Sequence, residues 1–237
     1  MRYVSASQSD VGRKRKLNED RVLERPDCGL WVVADGMGGH DAGEVASAAI
    51  VDALAAISEE PNLELLVASA IDALHEVNAR LRALARSADR PTTIGSTVVA
   101  LAISGGTFRC IWAGDSRAYR VRGTEIVQIT RDHSLVQDLV AAGLVEPAEA
   151  ETHPQAHVIT RAVGAADELE LEGVAGDVQA DDIFLLASDG LTRVVPPDEI
   201  LRTLRTMNPV QAVRALIETV LSRGAPDNVT VAICRVR

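Results

Sequence analysis

The sequence predicts an α+β fold in which two packed β-sheets are covered by helices, and three observations lead to it. Apolar runs of strand length recur: LWVVA (30–34), STVVALAI (96–103), TFRCIWAG (107–114), RAYRVR (117–122), DDIFLLA (181–187) and NVTVAICRV (228–236). Ala/Leu-rich stretches with helical spacing come in pairs, 41–57 with 63–88 and 197–206 with 209–223. The strands are grouped in runs and do not alternate singly with helices, which argues against a βαβ repeat.

Each element has its own signal. LWVVA is a buried strand that turns at Asp35 and the glycines after it. Arg21-Val22-Leu23 is a further strand start. Asp41 is placed to cap the first helix, and Pro61 separates it from the second, whose apolar periodicity serves core packing. Gly105-Gly106 joins two strands as a hairpin turn. Residues 133–151 read as helical, acidic and on the surface. With no internal repeat, low-complexity tract or linker, residues 1–237 are expected to form one domain.

Apolar residues make up 47% and charged residues 24% of the chain, as in ordinary soluble proteins, but aromatics only 3%, so the core must rest on Ala, Val, Leu and Ile. A net charge of −10 works against nucleic acid, which is bound by neutralising its phosphates. No apolar run approaches a membrane span and MRYVSASQSD lacks a signal-peptide pattern, so no membrane insertion and a cytoplasmic location are expected. Cys28, Cys110 and Cys234 are scattered, with no CxxC pair, and read as buried thiols in a reducing compartment.

The informative pattern is where the acids fall. Asp35 and Asp189 each end an apolar strand and precede a glycine, Asp115 follows the strand ending IWAG, Asp227 immediately precedes the last strand, and Glu19-Asp20 precedes Arg21. Any one Asp-Gly is ordinarily a turn, and Asp115 before Ser116-Arg117 fits a salt-bridged turn equally well. Jointly, carboxylates at the edges of a buried sheet would be costly without compensation, and hard divalent cations such as Mg²⁺ or Mn²⁺ supply it. Gly36 lets the backbone turn sharply enough for a main-chain carbonyl to join the ligands.

Other motifs carry less. GRKRK (12–16) reads as an electropositive rim around Arg15. DGMGGHDAG (35–43) follows a strand but fits neither GxGxxG nor the P-loop. His153 and His157 have zinc-pair spacing, but Pro154 intervenes and no HExxH context exists, so they read as surface. Ser96 and Ser188 have no adjacent His to activate them and read as structural.

The segments SDVGRKRKLNEDRV (9–22), DGMGGHDAGEVAS (35–47), GST (95–97), AGDSRAYR (113–120), TRDHS (130–134), ITRAVG (159–164), ASDGL (187–191) and GAPDNVTV (224–231), in that order, resemble the PPM (type 2C) metal-dependent protein phosphatases of the bacterial branch. The resemblance covers roughly residues 3 to 236. It implies a four-layer α-β-β-α sandwich, two antiparallel sheets flanked by helix pairs. It implies that Asp20, Asp35, Asp189 and Asp227, with the Gly36 carbonyl, hold two Mn²⁺ or Mg²⁺ ions, that Glu19 holds a water there, and that Asp115 contributes to a third ion. Arg15 matches the arginine that grips the substrate phosphate, and about 132–161 matches a flap that affects substrate choice. Met37 stands where eukaryotic relatives carry a His, and His40 is not assigned its role, so protonation of the leaving group is left to water. His157 stands where bacterial relatives commonly carry Asn. The pattern is also similar to phosphatases associated with type VI secretion.

The expected activity is hydrolysis of phosphoserine and phosphothreonine in proteins, on a monomer, reversing the work of a Hanks-type serine/threonine kinase. No protein nucleophile is needed, and no Cys here has the phosphate-cradling loop of a cysteine-based phosphatase. A non-catalytic pseudophosphatase would have lost ligand acids, and none is missing. A phosphodiesterase or nuclease is disfavoured by the net acidity.

Overall fold

The computed structural model describes residues 2–38, 42–60, 62–87 and 93–237, apart from the side chains at 151 and 152. The Asp41 cap, the Pro61 break and His40 lie outside the described residues. One sheet orders β1 (Tyr3–Asp10), β11 (Val229–Val236), β10 (Ile183–Ala187), β7 (Arg117–Arg122) and β8 (Glu125–Gln128). The other orders β2 (Asp20–Arg25), β3 (Leu30–Gly38), β5 (Val98–Ser104), β6 (Thr107–Ala113) and β9 (Glu172–Asp177), with β4 (Ile94–Ser96) paired to the end of β3. Every pairing is antiparallel. Helices α1 (Ala42–Ala55) and α2 (Leu63–Ser87) cover the second sheet, and α5 (Pro197–Thr206) and α6 (Pro209–Ser222) cover the first. This is the four-layer sandwich expected.

Alternation along the strands builds three apolar layers. In β3, Leu30, Val32 and Ala34 face α1 and α2, while Trp31 and Val33 face the other sheet. In β10, Ile183, Leu185 and Ala187 face α5 and α6, while Phe184 and Leu186 point between the sheets. Phe108 and Phe184 meet there edge to face, 5.2 Å between centroids. Because both faces are buried, these strands read as unbroken apolar runs. Cys110 and Cys234 are buried in this middle layer, where burial pushes both thiols up, whereas Cys28 is half-buried at the surface. Among the described residues no helix is long and apolar enough to cross a membrane.

Two expectations are corrected. The run 96–103 is not one strand: Thr97 separates β4 from β5, because its N–H donates to Asp35 O (2.8 Å) while its Oγ1 accepts from Asp35 N (3.1 Å). Residues 133–151 are not one helix. α3 (Leu135–Ala141), capped by the Ser134 side chain, stops at Gly143 (φ +70°), where Gly143 N donates to Val140 O and Leu144 N to Leu139 O. A 3₁₀ turn (Pro147–Thr152) follows. The Gly105-Gly106 turn is as expected, with φ of +59° and +84°, the conformation of a two-residue hairpin.

At the start of α6, Asn208 Oδ1 accepts from Gln211 N (3.0 Å) and Gln211 Oε1 accepts from Asn208 N (3.4 Å), a capping box ahead of Pro209. Asn208→Ala is expected to cost about 1 kcal/mol, read as a lower urea midpoint at unchanged m-value.

Candidate metal centre

The acids sit where strands of the two sheets run out at one edge of the sandwich. Asp20 and Asp35 face each other across the β2–β3 pair, and Asp189 opens the short helix α4 (Asp189–Thr192) directly after β10. Arg15, Glu19, Asp35, Gly36, Asp189 and Asp227 line one cleft of about 680 Å³. Met37, His157 and Arg193 line it too. Asp20 and Asp115 stand apart from that wall. Asp20 is buried beneath the cleft, and Asp115 lines an adjoining pocket of about 570 Å³ that shares Asp189, His157 and Arg193 with it.

Hydrogen bonds explain how the motifs position these groups. Ser188 Oγ donates to Asp20 Oδ2 (2.8 Å) and accepts from Thr230 N (3.0 Å), tying β10 and β11 to the buried acid. Thr97 Oγ1 and Ser116 Oγ lie 2.8 Å apart, so the GST and GDSR segments brace each other beside Asp35. Glu19 O accepts from Gly36 N (3.1 Å) and Ser47 Oγ (2.5 Å), locking the Glu19-Asp20 corner to α1. Arg15 Nη2 donates to Asp227 Oδ2 (2.8 Å).

Several participants were not singled out by sequence reasoning. Asn228 Oδ1 accepts from Glu19 N (2.9 Å), while its Nδ2 donates to Val11 O and Leu17 O (both 2.9 Å), so one amide fixes the whole basic loop. Its place beside Asp227 was the available signal. His133, quoted only as part of TRDHS, stacks on Trp112, accepts from Gly114 N (3.2 Å) and bonds Glu172 (2.7 Å). Arg193 pairs with Asp189 (3.0 Å) and Asp115 (3.1 Å) and touches His157. An isolated bridge joins Ser134 to Ile159, and Arg117 is forked onto Asp132 nearby in the chain. His157 is exposed, as expected, and lines the cleft, while His153 Nδ1 accepts locally from Gln155 N (3.1 Å).

Electrostatics separate this cluster from ordinary turns. Burial pushes the Asp35 carboxyl well above its usual range, and Asp20, Asp189, Asp115 and Asp227 push it further. Burial does the same to Asp189, reinforced by Asp115, Asp227 and Asp20. Asp115 is raised by burial despite Arg193, and Asp20 is pushed up to about 6 by burial despite its hydroxyl partners. Asp20 Oδ1 and Asp115 Oδ1 are buried with no hydrogen-bond partner. Mutually raised carboxylates and partnerless buried oxygens mark a place short of positive charge. The donors are all oxygens, so the residues fit Mg²⁺ or Mn²⁺ and not a thiolate-seeking metal. Among the described residues, three ligand atoms gather within 4.8 Å only at Asp27, Cys28 and Glu59; there Arg25 already donates to Cys28 Sγ (2.6 Å). The cleft acids are spread wider, with Arg15 and Arg193 between them.

Close approach fixes Gly190. A Cβ at Gly190 would fall inside contact distance of the Asn228 carbonyl, where α4 crosses the start of β11. Gly190→Ala must push these apart and carry Asp189 with it. Overpacking of this kind is expected to cost about 1–3 kcal/mol, read as a lower urea midpoint at unchanged m-value.

Residues 12–229 match the family described as protein phosphatase 2C. The chain is 38% identical, over its full length, to the serine/threonine protein phosphatase PstP of Mycobacterium tuberculosis, but it covers 45% of that protein, so it spans about half its length. It superposes with a TM-score of 0.92 and 44% identity on PppA, described as a key regulatory component of T6SS in Pseudomonas aeruginosa, covering 100% of this chain and 99% of that one. The catalytic domain of PstP in complex with two manganese ions gives a TM-score of 0.87 at 34% identity, with 99% of each chain covered. Motif order, sandwich and sequence likeness agree: the chain belongs to the bacterial branch of the PPM, or type 2C, protein phosphatase family.

Proposed function

We propose that this cleft hydrolyses phosphoserine and phosphothreonine in proteins, with Mn²⁺ or Mg²⁺ at two positions. The observation that supports it most is the ring of carboxylates that raise one another's pKa beneath an arginine-rimmed opening. On this reading Asp35, Asp189 and Asp227, with Asp20 and the Gly36 carbonyl, hold the pair, Glu19 orients a water, and Asp115 is the acid nearest a third position. When bound, such a pair brings the pKa of a water toward neutrality and offsets charge gathering on the phosphoryl oxygens.

The chain's own groups do the rest. Arg15, half-exposed, can leave Asp227 and lay its planar fork on two phosphoryl oxygens, which a lysine imitates poorly. Asn228 ties the Arg15 loop to the last strand, so the arginine and Asp227 keep one frame. Met37 faces the cleft without a proton to give, leaving protonation of the serine or threonine oxygen to water.

We take residues 1–237 as one phosphatase domain, a cytoplasmic monomer with a flap at about 132–161, whose counterpart is a Hanks-type kinase. The likeness to PppA makes phosphoproteins of a type VI secretion system the first substrates to try. Hydrolysis of a phosphothreonine peptide and of p-nitrophenyl phosphate, with Mn²⁺ and then with EDTA, tests the reading. Turnover should require the metal and return on its re-addition; equal rates in EDTA would contradict it.

A further inference from the structure

Arg193 occupies the wall between the cleft and the adjoining pocket and lines both. It caps the end of α4, four residues after Asp189, so its guanidinium folds back over that acid. Nη2 lies 3.0 Å from Asp189 Oδ2 and 3.1 Å from Asp115 Oδ2, while Nη1 contacts His157 Nδ1 in the flap. The two acids are almost out of solvent, whereas the arginine is about a third exposed. The remaining oxygen of Asp115, Oδ1, has no partner. The guanidinium therefore sits between Asp115, the acid nearest a third position on the reading above, and Asp189. A guanidinium held on Oδ2 of both acids repels a divalent ion brought between those two oxygens and so weakens its binding there.

Resting on the two-cation reading of the cleft, we propose that Arg193 is a built-in counter-ion at the Asp115–Asp189 position: the chain as it stands takes two divalent ions, and a third enters only when this guanidinium is withdrawn. Arg193 is thus a positioning residue that holds Asp115 in place without a metal. Its contact with His157 makes the flap part of the hold.

Equilibrium dialysis against Mn²⁺, with metal counted per chain, tests this on the wild type, Arg193→Gln and the double variant Arg193→Gln/Asp115→Asn. Over concentrations that leave the wild type at two ions, Arg193→Gln should take three. Its third ion should bind about tenfold tighter or more than any third ion on the wild type, within the ordinary range of coupling between neighbouring sites. The double variant should return to two. Identical stoichiometry and dissociation constants for Arg193→Gln and wild type would overturn the proposal, as would a third ion that survives loss of Asp115. Should Arg193→Gln fail to fold by circular dichroism, Asp115→Asn alone decides: an unchanged two-ion titration supports the counter-ion, and loss of an ion overturns it. Absence of manganese from the wild type would overturn the two-cation reading and this proposal together; two ions on both proteins overturn this proposal alone.

Discussion

Asp35→Asn is expected to lower kcat on a phosphothreonine peptide by about three powers of ten or more while the chain stays folded. Asp35 lies at the centre of the cluster, its carboxyl pushed up by burial and by four neighbouring acids. Asparagine keeps the shape and the backbone bonds to Thr97 but removes the charge that would hold a cation. Positioned cations supply several kcal/mol of stabilisation to a phosphoryl transition state, and each 1.36 kcal/mol is a factor of ten. Steady-state kinetics in saturating Mn²⁺, beside a circular dichroism spectrum, measure both halves of the expectation. A variant that keeps a tenth or more of wild-type kcat would remove Asp35 from the centre.

The second large effect concerns the metal-free chain. Asp20 has its folded pKa at about 6, above its ordinary value of 3.8, chiefly through burial. A carboxyl raised on folding binds its proton more tightly in the native state, so its stabilising contribution is present at low pH and is lost as pH rises through the folded value. Inside that window each pH unit is worth about 1.4 kcal/mol for Asp20 alone. Asp35 and Asp189 are shifted in the same direction and extend the loss upward. At about 2–4 °C per kcal/mol for a domain of this size, the EDTA-treated chain should melt at least about 3 °C higher at pH 5 than at pH 7.5. Mn²⁺ at pH 7.5 should reverse the deficit by binding the native state. Differential scanning calorimetry would show it; a melting point that climbs from pH 5 to 7.5 in EDTA would mean the acids do not burden one another.

The strongest sequence signals come from elements buried on both sides. β3, β5, β6, β10 and β11 announce themselves because each sends side chains into two apolar layers. β1 and β9 are edge strands of mixed or mostly exposed pattern, YVSASQSD and EGVAGD, and β8 is four residues long, so pairing alone makes them strands and no apolar period shows. Asp35 and Asp189 were legible because an apolar run ends abruptly on an acid and a glycine. Asn228 and Arg193 were not, since an amide and a guanidinium gain their meaning from what the fold carries to them. Arg193 meets Asp115, 78 residues away in sequence. Its one local cue was its position four residues after Asp189.

Manganese binding at neutral pH, followed by isothermal titration on the wild type and on Asp35→Asn, probes the cluster itself most directly. The geometry and charge of the cleft call for two ions on the native chain and a collapse of that binding in the variant. If the wild type draws no heat with manganese, or if asparagine at this position leaves the titration as it was, carboxylates gathered at the sheet edge serve some end other than holding cations.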